Sequence, residues 1–413
     1  MQRPKGTIDI YGDLYKKFDY IKRIFDDLCD EYNISYIETP IFESSDVFHR
    51  GVGESSDIVT KETYDFKDRG DRDLTLRPEG TAGIVRCLLE NKLYTTLPLK
   101  LCYFGPMFRY ERPQSGRTRE FYQAGVEIFG DDSSLMDVNA ISFLVKFYER
   151  IGLQGVKVKI NSIGDTKSRE NYMNVLKDYF KDYIDDLCDD CKNRYNKNIL
   201  RLLDCKVDGE KEIIKNAPKI TDYLTDESKK RFDEVLNGLK TLGIEYEIDD
   251  TLVRGLDYYN DAAFEVVYNN SSALGGGGRY NTLTSTLGGP EIPAVGFAIG
   301  VNRVINILDE EDIKIIDNDG LDAYIISVSE NENNYALELL SFLRDNAFKV
   351  DMDFTNKKMN AKFKEADRYN SKFIIIIGEE ETKNNILTIK DNLTKEEVKV
   401  ERDNLLDYLD VNI

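Results

Sequence analysis

The chain predicts an α+β fold in which a large, mainly antiparallel sheet is interrupted by a helical insertion and followed by a small α/β domain. Three observations carry this reading. Two extended runs, KLCYFGPMFRYE (100–111) and REFYQAGVEIFG (119–130), flank the polar loop RPQSGRT and form a long hairpin. Residues 166–240 are charged and helical, with few strand signals. From 322 onward, strand and helix patterns alternate, as a mainly parallel sheet requires. The expected layout is a discontinuous sheet domain (1–165 and 241–315), a helical insertion (166–240) and a last domain (322–413).

Each element has its own local warrant. In LYKKFDYIKRIFDDLCDE (14–31), Leu14, Phe18, Ile21, Ile24, Phe25 and Leu28 recur at helical spacing. IETPIF (37–42) reads as a short extended piece, and LTLRPEGTAGIVRCLLE (74–90) as strand, turn and helix. VKVKIN (156–161) alternates as a strand does. Strand signals return after the insertion at AFEVVY (263–268), followed by the Gly-rich ALGGGGRYNTL (273–283). PAVGFAIGVNRVINIL (293–308) leads a strand into a helix. An acidic linker, 309–320, precedes AYIISV, NNYALELLSFLRDN, FKVDMDF, KMNAKFKEADRYN, KFIIIIG and ILTIKD in turn.

Composition narrows the function. There are 56 Lys+Arg against 76 Asp+Glu, a net charge of −20, which argues against a generally basic nucleic-acid coat. Basic residues grouped on one face still allow a nucleic-acid partner. The longest apolar run, around Phe373–Ile377, is too short for a membrane helix. MQRPKGTIDI has no apolar core of a secretory signal. Six Cys in 413 residues point to a reducing cytoplasm, not a disulfide framework. The single histidine, His49, rules out a multi-histidine metal site. Cys188, Cys191 and Cys205 offer three thiolates without an obvious fourth ligand, so no metal is expected there.

The hairpin carries the chemistry. Residues two apart share a strand face, so Arg109 and Glu111 point together, as do Phe121, Gln123, Gly125 and Glu127. One face thus gathers an Arg, carboxylates and an amide, groups a core face does not normally collect. LRPEGT places Arg77, Glu79 and Thr81 at a strand-to-helix turn, and LVRGLDYY brings Arg254, Asp257, Tyr258 and Tyr259 before a strand. The Gly run 275–278 allows close backbone approach. No P-loop and no dinucleotide-binding Gly motif occurs, so a nucleotide would be held by arginines on an antiparallel sheet.

These segments, in this order, resemble the histidyl-tRNA synthetase family of class II aminoacyl-tRNA synthetases over essentially the whole chain. RPKGTIDI (3–10) resembles the N-terminal signature, and TPIFESSDVFHRGVGESSDIVTKETYDF (39–66) the dimer-forming motif 1 region. FRYERPQSGRTREF (108–121) fits motif 2, and GFAIGVNRV (296–304) fits motif 3. LVRGLDYY (252–259) and GGGGRY (275–280) resemble the histidine-specific peptides; NKNILRLLDCK (196–206) resembles the insertion of bacterial members.

The resemblance implies ATP-dependent ligation of L-histidine to its tRNA through a histidyl-adenylate, by a cytoplasmic homodimer using Mg²⁺. It also implies roles. Arg109 and Arg254 would act at the α-phosphate. Arg303 and Arg117 would hold the outer phosphates, Phe121 would stack on adenine and Glu111 would take its amino group. Glu79, Gly80, Thr81 and Gln123 would receive the histidine ammonium side, with Tyr258, Tyr259 and Glu127 around the imidazole. Arg112 and Gln114 would approach the acceptor end of the tRNA. The basic strip Lys357, Lys358, Lys362, Lys364, Arg368 and Lys372 would face the anticodon stem, Met359, Phe363 and Ala366 marking the core side. The alternative is a non-catalytic paralogue, the regulatory subunit of ATP phosphoribosyltransferase, which typically lacks the C-terminal domain and the full arginine set. Departures from the family pattern are Tyr122, Ala124, Asn260-Asp261-Ala262, Asn302 and Lys362.

Overall fold

A computed structural model describes residues 1–53, 56, 58–111, 118–205, 207–269, 273–315, 320–355 and 357–412. The chain divides into two compact units, 1–315 and 316–413.

In the first unit the hairpin strands Leu99–Phe108 and Glu120–Phe129 pair antiparallel along their whole length. They sit within a sheet of eight strands among the described residues. Its order is Ser35–Tyr36, the two hairpin strands, Ala294–Gly300, Gly275–Arg279, Asn260–Val267, Lys157–Ser162 and Tyr246–Ile248. Only the two edge pairings are parallel. A separate three-stranded sheet comprises Phe42–Ser44, Asp73–Leu76 and Tyr64–Lys67.

Strand alternation sorts the hairpin as expected. Ala124, Val126 and Ile128 join the apolar core on one face, beneath the helices Gly12–Glu31, Ser134–Arg150 and Val301–Glu310. Leu101, Tyr103 and Met107 belong to a second core on the other face. The helix Gly12–Glu31 buries Phe18, Ile21, Phe25 and Leu28, the predicted stripe.

The insertion is helical but does not build a core of its own. Tyr172, Leu176 and Phe180 of helix Thr166–Phe180 share the second core with Tyr258 and Tyr259. Phe232, Val235 and Leu239 of helix Asp226–Thr241 pack into the first core, on the opposite face. Both helices start on side-chain caps: Asp165 accepts from Ser168 N–H at 2.7 Å and Thr225 from Ser228 N–H at 3.3 Å.

The second unit corrects one expectation. Its strand order is Val350–Met352, Ala323–Ser327, Phe373–Ile377, Ile386–Asp391, Glu397–Glu401. The first two pairings are parallel and the last two antiparallel, so the sheet is mixed, not mainly parallel. The missed element is the hairpin closing on Glu397–Glu401, whose turn is set by Asp391: its Oδ1 accepts from Leu393 N–H and Thr394 N–H at 2.8 and 2.7 Å. No described helix is long and apolar enough to cross a membrane.

Candidate active site

Glu79, Thr81, Arg109, Glu111, Phe121, Gln123, Glu127, Arg254, Tyr258, Tyr259 and Arg303 all line one cavity of about 660 Å³ in the first unit. Sequence-distant segments therefore converge there: the strand-to-helix turn, both hairpin strands, the 252–259 loop and the helix after Ala294–Gly300. Arg112, Gln114 and Arg117 lie outside the described residues.

Part of the cavity lining is a buried network. Glu79 is 4 % exposed and accepts from Thr81 N–H at 2.7 Å and Ala82 N–H at 2.8 Å, closing the open N-terminus of helix Thr81–Glu90. Burial raises its carboxyl, and those backbone N–H groups pull it back. Thr81 Oγ1 donates to Glu127 Oε1 at 2.6 Å, and the Tyr280 hydroxyl donates to Oε2. Burial pushes the Glu127 carboxyl up to about 8, against the pull of those two hydroxyls. Gln123 lies opposite Gly105 and Gly300, and Glu127 opposite Gly296, so small neighbours leave room for the long polar side chains. The Gln123 Oε1 and Arg254 Nε atoms are buried with no hydrogen-bond partner among the described residues. Buried polar atoms of this kind are normally satisfied, so they mark where a polar ligand fits.

Three arginines stand against this network. Arg109 Nε donates to Pro78 O at 2.9 Å, and its guanidinium lies 5.2 Å from the Phe121 ring centre. Arg254 pairs with Glu265 and lies 5.8 Å from the Tyr259 ring centre. Arg303 Nη1 donates to Ala273 O at 2.7 Å. Each guanidinium is thus oriented by a fixed acceptor, which makes its remaining donors directional.

The Arg254 loop is braced by the insertion. Asn198 Nδ2 donates to Asp257 Oδ1 at 2.8 Å, and Arg201 donates to Gly255 O. Arg169 Nη1 donates to Asp257 O at 3.2 Å and Tyr259 O at 3.3 Å. This explains why NKNILRLL and LVRGLDYY, separate motifs in sequence, form one construction.

Several expectations need correction. Gly80 does not line the cavity. It lies behind it, where the Tyr103 ring packs against both Gly80 and Gly125 so closely that a Cβ at either would collide. Lys362 does not face solvent: it is 3 % exposed, donates to Ser327 O at 2.8 Å and lies 3.5 Å from Asp353 Oδ2. Residues 359, 362, 363 and 366 fall at i, i+3, i+4 and i+7, so helical spacing itself puts Lys362 on the core stripe. The strip is further neutralised by Glu365, which pairs with Lys357 at 2.6 Å and Arg368 at 2.8 Å. Lys358 and Lys364 are exposed.

Two residues were missed. Tyr103 and Tyr280 complete the buried network: Tyr103 sits on the strand Leu99–Phe108, and Tyr280 directly follows the Gly-rich strand Gly275–Arg279. Asn260-Asp261-Ala262 does not line the cavity: Asn260 Oδ1 accepts from Asn281 N–H at 2.7 Å, and Asp261 takes φ 49°. That left-handed backbone is natural to Gly and tolerated by Asp. Asn302 Oδ1 accepts from Tyr122 N–H at 2.7 Å, linking two departures from the family pattern. Arg279, in the Gly-rich peptide, turns away: it is fully buried and bonded to Asp137 Oδ2 at 2.7 Å.

An antiparallel sheet whose cleft gathers oriented arginines and buried carboxylates fits the architecture of a class II aminoacyl-tRNA synthetase. Residues 9–304 match the model of the family described as histidyl-tRNA synthetase, and residues 322–412 match an anticodon binding domain. A histidine–tRNA ligase of Staphylococcus haemolyticus is 46 % identical, over 98 % of each chain. The crystal structure of apo S. aureus histidyl-tRNA synthetase superposes with TM-score 0.86 at 39 % identity, over 99 % of each chain. A Bacillus halodurans structure titled ATP phosphoribosyltransferase regulatory subunit/histidyl-tRNA synthetase shares the fold at TM-score 0.67 and 22 % identity, over 91 % of this chain and 98 % of that one. This chain belongs to the histidyl-tRNA synthetase family.

Proposed function

We infer that the chain ligates L-histidine to its cognate tRNA at the expense of ATP, through a histidyl-adenylate. The observation that carries this reading is the convergence of Arg109, Arg254 and Arg303 with Glu79 and Glu127 on one cavity, in a chain matching histidine–tRNA ligases over its full length. The regulatory-paralogue reading is not favoured, because the arginine set and the C-terminal unit are both present.

The histidine carboxylate attacks the ATP α-phosphorus in line, and pyrophosphate leaves. Arg109 and Arg254 stabilise charge on the α-phosphate and align the carboxylate; positioning and electrostatics supply the rate. Arg303, with Arg117, binds the outer phosphates, while Phe121 and Glu111 receive the adenine. Glu79, Thr81 and Gln123 take the α-ammonium, and Glu127 and Tyr259, with Tyr258 beside them, face the imidazole. A site with buried polar partners rejects analogues that leave them unpaired. Mg²⁺ accompanies ATP and would offset phosphate charge; the lining carboxylates Glu265 and Asp249 already pair with Arg254 and Lys159, so its oxygen ligands would come mainly from the phosphates and water.

The C-terminal unit is assigned to the anticodon, with Lys358 as a phosphate contact, and Arg112 and Gln114 to the acceptor end. A homodimer through the motif 1 region is supported by exposed aromatics there: Phe42 is 53 % and Phe66 42 % exposed, and their rings pack edge to face. The cytoplasm is the assigned compartment. Histidine-dependent ATP–pyrophosphate exchange tests the activity: exchange with histidine and not with other amino acids is expected, and no exchange from folded protein with Mg²⁺ would refute it.

A further inference from the structure

Outside the active site, three sulfurs and a carboxylate converge in the insertion. Cys188, Cys191, Cys205 and Asp208 place one donor atom each within 4.8 Å of all the others. Among the described residues this is the one such group of three or more metal-ligating side chains. Cys188 Sγ lies 3.7 Å from Cys205 Sγ, and Cys205 Sγ lies 4.0 Å from Asp208 Oδ2. In a tetrahedron with zinc–sulfur bonds of about 2.3 Å, neighbouring sulfurs stand about 3.8 Å apart. The observed sulfur separation is therefore a tetrahedral edge, far longer than a disulfide bond.

The surroundings are those of a built site. Cys191, Cys205 and Asp208 are buried, and Cys188 is half-buried. Cys188 is the N-cap of helix Asp189–Lys197, so Cys188-Asp-Asp-Cys191 grips one turn at the helix end that favours thiolates. Asp208 N–H donates to Cys205 Sγ at 3.4 Å, and Cys188 N–H donates to Asp208 Oδ2 at 2.8 Å, which orients the carboxylate. Lys211 Nζ lies 2.8 Å from Asp208 Oδ1.

We propose that Cys188, Cys191, Cys205 and Asp208 form a structural zinc site with three thiolates and one carboxylate. On binding, three thiol protons go to solvent; Zn²⁺ with three thiolates and a carboxylate carries a formal charge of −2, partly offset by Lys211. Soft thiolates and a closed four-ligand set select zinc over oxygen-seeking cations. The ion staples a segment made of short elements: the 3₁₀ turns Ile184–Asp186 and Ile199–Leu202 and the helix Glu212–Lys215. Cys205 ends the stretch bearing Asn198 and Arg201, so the staple also steadies the brace under the Arg254 loop.

The test uses the purified full-length chain under reducing conditions. Elemental analysis after dialysis and reconstitution with Zn²⁺ should give about one zinc per chain. Substitution with Co²⁺ should give the visible bands of a tetrahedral site and thiolate-to-cobalt charge transfer. Cys188→Ser should weaken zinc at least about 100-fold, and Asp208→Ala about 10–100-fold with shifted cobalt bands. Zinc should raise the midpoint of thermal unfolding of the wild-type chain. Folded wild-type protein that stays below about a tenth of an equivalent of zinc overturns the proposal. So does undiminished binding in Cys188→Ser, or a cobalt spectrum lacking charge transfer. An unaltered spectrum and affinity in Asp208→Ala overturns Asp208 as the fourth ligand. The wild-type metal and spectral readouts stand even where a variant fails to fold.

Discussion

The cavity carries two kinds of lining, carboxylate and arginine, built on different principles. Among the carboxylates, Glu79 and Glu127 are buried and each holds two hydrogen bonds from fixed donors. Among the arginines, Arg109, Arg254 and Arg303 are half-buried and each is held by an acceptor, Pro78 O, Glu265 and Ala273 O in turn. The first is a buried, hydrogen-bonded set of acceptors. The second is an oriented field of positive charge. The ammonium and ring N–H groups of a small polar substrate call for the former, because burial makes an unmatched polar group costly. A phosphate chain needs the latter, because charge develops there during reaction.

The largest effect should come from the arginine lining. Arg254→Ala is expected to lower pyrophosphate exchange about 1,000-fold or more, about 4 kcal/mol, with circular dichroism unchanged. Near-normal exchange in a folded variant would break the assignment of charge stabilisation to this lining.

Glu127→Gln tests the carboxylate lining. It keeps the shape and should raise KM for histidine roughly 10–100-fold, about 1–3 kcal/mol, with a smaller change in kcat. An equal loss in both parameters for ATP and histidine would erase the distinction between the two linings. The same residue gives a pH signature. The folded carboxyl keeps its proton up to about 8, whereas in the unfolded chain it is lost near 4.5. Between those values the folded state binds the extra proton, so stability falls as pH rises, by at most about 1.4 kcal/mol per pH unit. Denaturant midpoints at pH 5.5 and 8.5 (roughly the ends of that window) should differ less in Glu127→Gln than in wild type.

Tyr280→Phe removes one of the two hydroxyls on Glu127. A loss of about 1 kcal/mol, read as roughly fivefold in KM for histidine, is expected. Smallest is Lys358→Ala, distant in kind from both linings: exchange should be unchanged, while tRNA charging weakens a few-fold and its salt slope falls by about one. A change in exchange would show that the cavity is not the whole of the adenylation machinery.

Much of the site was readable because its signals are local. Strand parity put Arg109 with Glu111 and Gln123 with Glu127, and the Pro-Glu-Gly turn announced Glu79 and Thr81 at a helix start. Tyr103 and Tyr280 were not readable, since each acts across strands: Tyr103 fills the space between Gly80 and Gly125, and Tyr280 reaches Glu127 from another strand end. Gly80 is not among the cavity-lining residues because the Tyr103 ring packs against it. Lys362 was misread because its charge outweighed its position; its place on the core stripe was legible, but its partners Asp353 and Ser327 were not. Three cysteines were visible in sequence, and the carboxylate beside them, Asp208, was not.

By itself the sequence determined the α+β class, the hairpin and its functional face, the helical character of the insertion and the family. These rest on periodicity, turn chemistry and motif order, which act over a few residues. Only the tertiary structure decided which arginines face the cavity and which, like Arg279, are spent on internal carboxylates. It also decided that the insertion braces the Arg254 loop and packs on both faces of the sheet. The physical reason is that burial and pairing depend on neighbours far away in the chain, so a charged residue's role is set by what the fold brings against it.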